Sequence, residues 1–201
     1  MTCIVAWKDK NGLYIGGDSA AIGGLSITVR KDEKVFVNGP FIMGFSDSFR
    51  MGQLLRFSLK VPRQAPRTSD YEFMSTIFIE AVRKCLNDGG FAKKENNEET
   101  GGNFVVGYKD NLYEIDDDFQ VAIPVDNYIA LGCGQEFAYG SLYNPYAVSN
   151  PLKKVRLALE AATKFSAGVR PPYRIIKKLK NGKVEHVEYK KSDEDKKKNI
   201  V

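Results

Sequence analysis

Apolar and polar positions change period along the chain, and each change marks a group of elements. Thr2 to Trp7 is an apolar run, Asp9-Lys10-Asn11-Gly12 is a turn, and Leu13 to Gly17 is a second apolar run. Asn-Gly between two such runs is the strongest short-range hairpin signal. Lys34 to Val37 and Phe41 to Phe45 read as another hairpin, closed at Asn38-Gly39-Pro40. The period then becomes helical. Met74, Ile77, Phe78, Ala81, Val82 and Cys85 share one helix face, with Asp70 as N-cap and Asp88-Gly89-Gly90 as the stop. A less periodic helix precedes it, from about 49 to 59. Residues 93–102 are polar and end in Gly-Gly, which predicts a surface loop.

Four short strands are predicted next, at 103–108, 112–115, 119–125 and 128–131, followed by helices at about 135–144 and 152–166. A last hairpin, Tyr173 to Leu179 with Val184 to Tyr189, turns at Asn181-Gly182. Elements grouped as strands, helices, strands, helices, strands favour antiparallel sheets with helices packed outside them. The expected class is α+β: a two-sheet sandwich covered by helix pairs, in one domain over 1–190. Residues 191–201 (KSDEDKKKNIV) read as a basic, disordered tail.

Composition narrows the chemistry. The chain has 201 residues, 43% hydrophobic and 27% charged, an ordinary globular balance. No apolar run reaches the length of a membrane span. The first apolar stretch precedes its lysines rather than following them, so a secretory signal is not expected. Three cysteines, Cys3, Cys85 and Cys133, form no CxxC pair and point to a reducing, cytoplasmic setting. His186 is the single histidine, which disfavours a Ser-His-Asp triad or a histidine-built metal site. The formal charge is +5, but residues 177–201 hold nine Lys against five acids, leaving about +1 elsewhere. That is no nucleic-acid footprint. Asp116-Asp117-Asp118 reads as a solvated turn, and neither a metal nor a cofactor is expected.

A histidine-poor chain can still transfer acyl groups through its own N-terminus. Met1 precedes Thr2, and an initiator methionine is commonly removed before so small a residue. Thr2 would then carry a hydroxyl beside a free α-amine, which titrates at about pH 8 and can accept the hydroxyl proton. The competing reading is that Thr2 only starts an edge strand. Asp18 ends the Gly16-Gly17 strand, where a carboxylate is costly to bury without a cation, and Lys34 is the candidate partner. That pair is open to a purely structural reading.

Thr2, Asp18 and Lys34, at intervals of sixteen residues, resemble the Thr, Asp and Lys of proteasome beta subunits and of the HslV protease subunit. Thr2-Cys3-Ile4-Val5, Gly16-Gly17-Asp18-Ser19-Ala20, Lys34-Val35, Met43-Gly44-Phe45 and the Gly132-Cys133-Gly134 junction agree in order and spacing. The resemblance covers about residues 2–190. It implies the four-layer αββα sandwich of the N-terminal-nucleophile (Ntn) hydrolases and a threonine-type endopeptidase. It makes Thr2 the nucleophile and its amine the proton acceptor. Lys34 lowers their pKa values, and Asp18 holds Lys34. Backbone donors for the oxyanion fall at Asp47 or Ser48, Cys133 stands for the family's Ser near the amine, and Ser166 offers a hydroxyl. Ala21, Asp32 and Phe36 line the substrate pocket.

The resemblance also implies a peptide or unfolded-protein substrate, a homo-oligomeric ring and a possible ATPase unfoldase. Two departures stand out. Ser46-Asp47-Ser48 replaces a turn that usually holds Gly, and residues 163–172 contain no acid. Arg170-Pro171-Pro172 is insertion-like. A subunit kept for assembly or binding with little catalysis, and an Ntn amidase for a small amide, are the alternatives.

Overall fold

The computed structural model describes residues 2–144 and 149–190; the tail expected at 191–201 lies outside them. Two five-stranded antiparallel sheets form the centre. The first has strand order β12 (Tyr128–Leu131), β1 (Ile4–Asp9), β2 (Gly12–Gly17), β13 (Tyr173–Leu179), β14 (Val184–Tyr189). The second has order β11 (Val121–Ala122), β10 (Asn111–Ile115), β9 (Phe104–Tyr108), β6 (Phe41–Phe45), β5 (Val35–Asn38).

Strands β2, β6 and β9 read as unbroken apolar runs because successive side chains point to opposite faces and both faces are covered there. Ile4 and Ala6 of β1, Leu13 and Ile15 of β2, Ile42 of β6 and Val105 of β9 meet between the sheets. Cys3, Val5 and Tyr14 point the other way, into a layer with Val155, Leu159 and Ala162 of helix α5 (Pro151–Phe165). Helix α4 (Gln135–Tyr143) packs in that same layer through Ala138 and Leu142. Phe41, Met43 and Phe45 face the opposite helical layer. The two sheets approach closely at Gly44, where a Cβ would lie 2.8 Å from Ile4 Cγ2 and 2.9 Å from Ile15 Cγ2. The result is the expected four-layer αββα sandwich. Among the described residues no helix is long and apolar enough to cross a membrane.

The second helical layer differs from its simple expectation. Its first helix is α1 (Phe49–Gln53) running into a π-helical turn, Leu54–Ser58. The second is α2 (Asp70–Phe73), a π-helical turn at Met74–Phe78, then α3 (Ile79–Asp88). Ser69, not Asp70, is the N-cap: its hydroxyl accepts the Glu72 N–H at 3.2 Å. Asp70 instead takes Lys109 and Gln64 as partners. The strand expected over 119–125 shrinks to β11, because Phe119 at φ +68 closes a turn on Asp116. Two short hairpins were not expected, β3 (Ala20–Gly23) with β4 (Ser26–Val29), and β7 (Lys93–Glu95) with β8 (Glu98–Thr100).

Candidate active site

Asp18 leaves the end of β2 in the first sheet, and Lys34 stands just before β5 in the second. Their ion pair, Lys34 Nζ to Asp18 Oδ1 at 2.7 Å, therefore ties the two sheets together at one end of the sandwich. Both side chains are almost wholly removed from water, 1% and 0% exposed. A buried pair persists only where further hydrogen bonds satisfy it, and here they do. Oδ1 also accepts the Cys3 N–H at 3.0 Å, while Oδ2 accepts the Ala20 N–H at 2.9 Å and the Arg170 N–H at 3.1 Å. Burial pushes the Lys34 ammonium below the ordinary lysine range, against the opposing pull of Asp18.

The Cys3 N–H bond fixes the peptide directly after Thr2. Thr2 is 3% exposed, and its carbonyl accepts the Gly134 N–H at 3.4 Å. That contact needs Gly132, whose φ is +89 and whose Cβ would lie 2.3 Å from Thr2 O and 3.4 Å from Ser46 Cβ. Three segments thus converge on Thr2: the end of β2, the Gly132–Gly134 turn, and the turn after Phe45. Phe45 N–H donates to Lys34 O at 3.1 Å, which places that last turn beside the lysine.

The other expected residues divide. Cys133 and Ser166 are brought together, with Sγ to Oγ at 3.4 Å, and Ser166 Oγ accepts the Gly168 N–H at 3.3 Å. Ser48 caps α1, its hydroxyl accepting the Arg50 N–H at 3.1 Å. The Asp47 carboxylate is turned onto Asn103, accepting its backbone N–H at 2.6 Å and its side-chain amide at 2.9 Å. Ala21 is half-buried on β3. Asp32 is exposed and held by Arg30 through two 2.7 Å bonds, which keep its carboxyl below the usual range. Phe36 does not fit a substrate-lining role. It is 1% exposed, its ring packed inward with Phe45 at 6.5 Å between sheet and helices.

A cavity of about 90 Å³ lies next to the lysine, lined by Asp32, Glu33, Phe45, Phe49, Gly52 and Arg56. The Phe49 ring centroid is 5.8 Å from Lys34 Nζ. A larger cavity of about 560 Å³, by Pro40, Val61, Pro62, Gln64 and Tyr108, sits at the other end of β6. Cys3 is inert by position: burial, then the Asp18 charge, push its thiol far above the ordinary range. Among the described residues no group of three or more His, Cys, Asp or Glu side chains could hold a metal ion.

Sequence reasoning missed two contributors, Arg170 and Asn103. Arg170 supplies a main-chain donor to Asp18, and its carbonyl accepts the Ser19 N–H at 2.9 Å. The only trace was the odd Arg170-Pro171-Pro172 string, in which a residue before proline is driven extended. Asn103 left no signal, whereas Gly132 was part of the Gly132-Cys133-Gly134 junction read from the sequence.

No family model matches the chain, and no curated protein matches it. Solved structures do. Anbu from Hyphomicrobium sp. strain MC1, as a Gly-1 mutant, has a TM-score of 0.71 at 17% identity, covering 98% of this chain and 91% of that one. BPH, the bacterial proteasome homologue of Thiobacillus denitrificans, gives 0.68 at 15% identity, covering 96% and 100%. Its complex with epoxomicin gives 0.68 at 13%, covering 92% and 98%. These matches correct the resemblance to proteasome beta subunits and HslV: the neighbours are Anbu and BPH proteins, related to that family but distinct from it. At such identities the likeness establishes the fold alone, an α+β sandwich of antiparallel sheets shared with these neighbours.

Proposed function

We propose that the chain is a threonine-type Ntn hydrolase that cleaves peptide bonds with Thr2 once Met1 is removed. The observation that carries this reading is the buried Lys34–Asp18 pair, whose carboxylate also accepts the amide immediately after Thr2. A cation is thereby held beside the residue that must act as both nucleophile and base.

Removal of Met1 turns the Thr2 peptide nitrogen into an α-amine. Thr2 Oγ1 attacks the substrate carbonyl as its proton passes to that amine, whose pKa the nearby ammonium lowers. The developing oxyanion takes hydrogen bonds from the Asp47 and Ser48 backbone N–H groups, which no other described residue engages. The amine proton goes to the leaving amine, leaving an ester on Thr2. Water, deprotonated by the same amine, hydrolyses the ester and restores the hydroxyl. Cys133 and Ser166 are the polar side chains offered near the amine, and Ala21 and Asp32 flank the approach.

The neighbours suggest an oligomeric assembly, and we read this chain as the subunit of a homo-oligomer acting on unfolded peptide segments. An unfolding ATPase partner belongs to the same reading. Epoxomicin, the ligand of the BPH complex, is an epoxyketone suited to a hydroxyl with an adjacent amine. Intact-mass measurement should show a chain starting at Thr2 that gains one epoxomicin, with Thr2→Ala gaining none. A retained Met1, or an unmodified wild-type chain, would overturn the proposal.

A further inference from the structure

The turn after Phe45 is shaped by one residue from a distant strand. Asn103, just before β9, donates its backbone N–H to Asp47 Oδ2 at 2.6 Å and its side-chain amide to the same oxygen at 2.9 Å. Its carbonyl accepts the Ser46 N–H at 3.1 Å and the Ser46 hydroxyl at 3.2 Å. The Ser46 hydroxyl also reaches Asp47 Oδ1 at 3.2 Å. The backbone N–H, the side-chain amide and the carbonyl of Asn103 are all used on this turn. Gly102 lets the segments close, since a Cβ there would sit 3.0 Å from Asp47 Oδ2 and 2.8 Å from Met51 Sδ.

A helix cap does not need this arrangement, because Ser48 already caps α1. Nor does charge pairing explain it, because Asn103 is neutral. Its geometric effect is to fix Ser46 and Asp47 while leaving the Asp47 and Ser48 N–H groups unengaged by the described residues. It also binds the carboxylate on the Asn103 side, where charge-assisted hydrogen bonds occupy it. A loose Asp47 would set a negative charge against a developing oxyanion.

We infer that Asn103 and the Asp47 side chain are positioning residues, a clamp that aims the backbone donors of the 46–48 turn at the oxyanion. This rests on the hydrolase reading above.

Asn103→Asp sets two carboxylates against each other, and the exchange Asp47→Asn with Asn103→Asp restores an amide–carboxylate pair. On a fluorogenic peptide, Asn103→Asp should lower kcat about tenfold or more with KM within about twofold, the mark of an interaction felt in the transition state. The exchanged pair should recover most of that loss. Unchanged kcat in Asn103→Asp, or no recovery in the exchanged pair, overturns the clamp. Should Asn103→Asp not fold, Asn103→Ala decides: kcat lower by about threefold or more at constant KM supports the clamp, and wild-type kcat overturns it. Wild-type protein that takes epoxomicin at Thr2 while the variants keep full kcat removes the clamp alone. Wild-type protein with neither adduct nor turnover removes the hydrolase reading and the clamp with it.

Discussion

In the mechanism proposed above Lys34 has to carry its proton to activate Thr2, and burial works against that charge. Its pKa lies below the ordinary lysine value, and Asp18 limits the fall. The sign for activity follows directly. On that mechanism the rate should rise with pH as the Thr2 amine becomes neutral, then fall as Lys34 loses its proton, at a pH below the ordinary lysine value of about 10.4. A kcat/KM profile should therefore be bell-shaped with its alkaline limb below that value. Lys34→Met should remove at least about 99% of turnover and cost about 3 kcal/mol in denaturant unfolding, since it strands a buried carboxylate that keeps three amide donors. Near-normal rates in the variant would contradict the role. At this scale the Asp18–Lys34 pairing was legible because a carboxylate at a buried strand end needs a cation. The Arg170 amide was not, because any residue type could supply a backbone N–H.

Between elements, the decisive contact is main chain against main chain. The turn joining β12 to α4 passes so close to Thr2 that Gly132 has no room for a side chain, and its φ of +89 suits only glycine. Gly132→Ala should push the Thr2 carbonyl aside, destabilise the chain by more than about 1 kcal/mol, and slow epoxomicin uptake disproportionately to the lost stability. Thermal unfolding and adduct kinetics measured on one preparation check this, and an unaffected adduct rate would refute it. The β1–β2 and β13–β14 hairpins were readable because Asn-Gly turns punctuate apolar runs. The β3–β4 hairpin was not: its turn is Gly-Leu flanked by small residues, and Leu25, Ile27 and Val29 are exposed, so no inside-outside contrast marks it. The π-helical turns were hidden too, since one extra residue barely disturbs an apolar stripe. The surface loop expected at 93–102 contains a hairpin over 93–100, held by backbone pairing that periodicity does not report.

For the molecule as a whole, β14 closes the first sheet at Tyr189, and the positive charge is concentrated in and beyond the last hairpin. A chain ending at Lys190 should keep its melting temperature within a degree or two, about the effect of a surface change, in differential scanning fluorimetry. A drop of ten degrees would make 191–201 part of the fold. The αββα order was legible because strands and helices alternate in blocks, while the likeness to Anbu and BPH was less so, because at 13–17% identity it lies in the sandwich and not in the residues. The four donors to Asp18 come from positions 3, 20, 34 and 170. A ribosome must therefore synthesise most of the polypeptide before that carboxylate is fully coordinated. On the peptidase reading proposed above, cutting power arrives only once Arg170 has been made, so an unfinished copy is harmless to its neighbours.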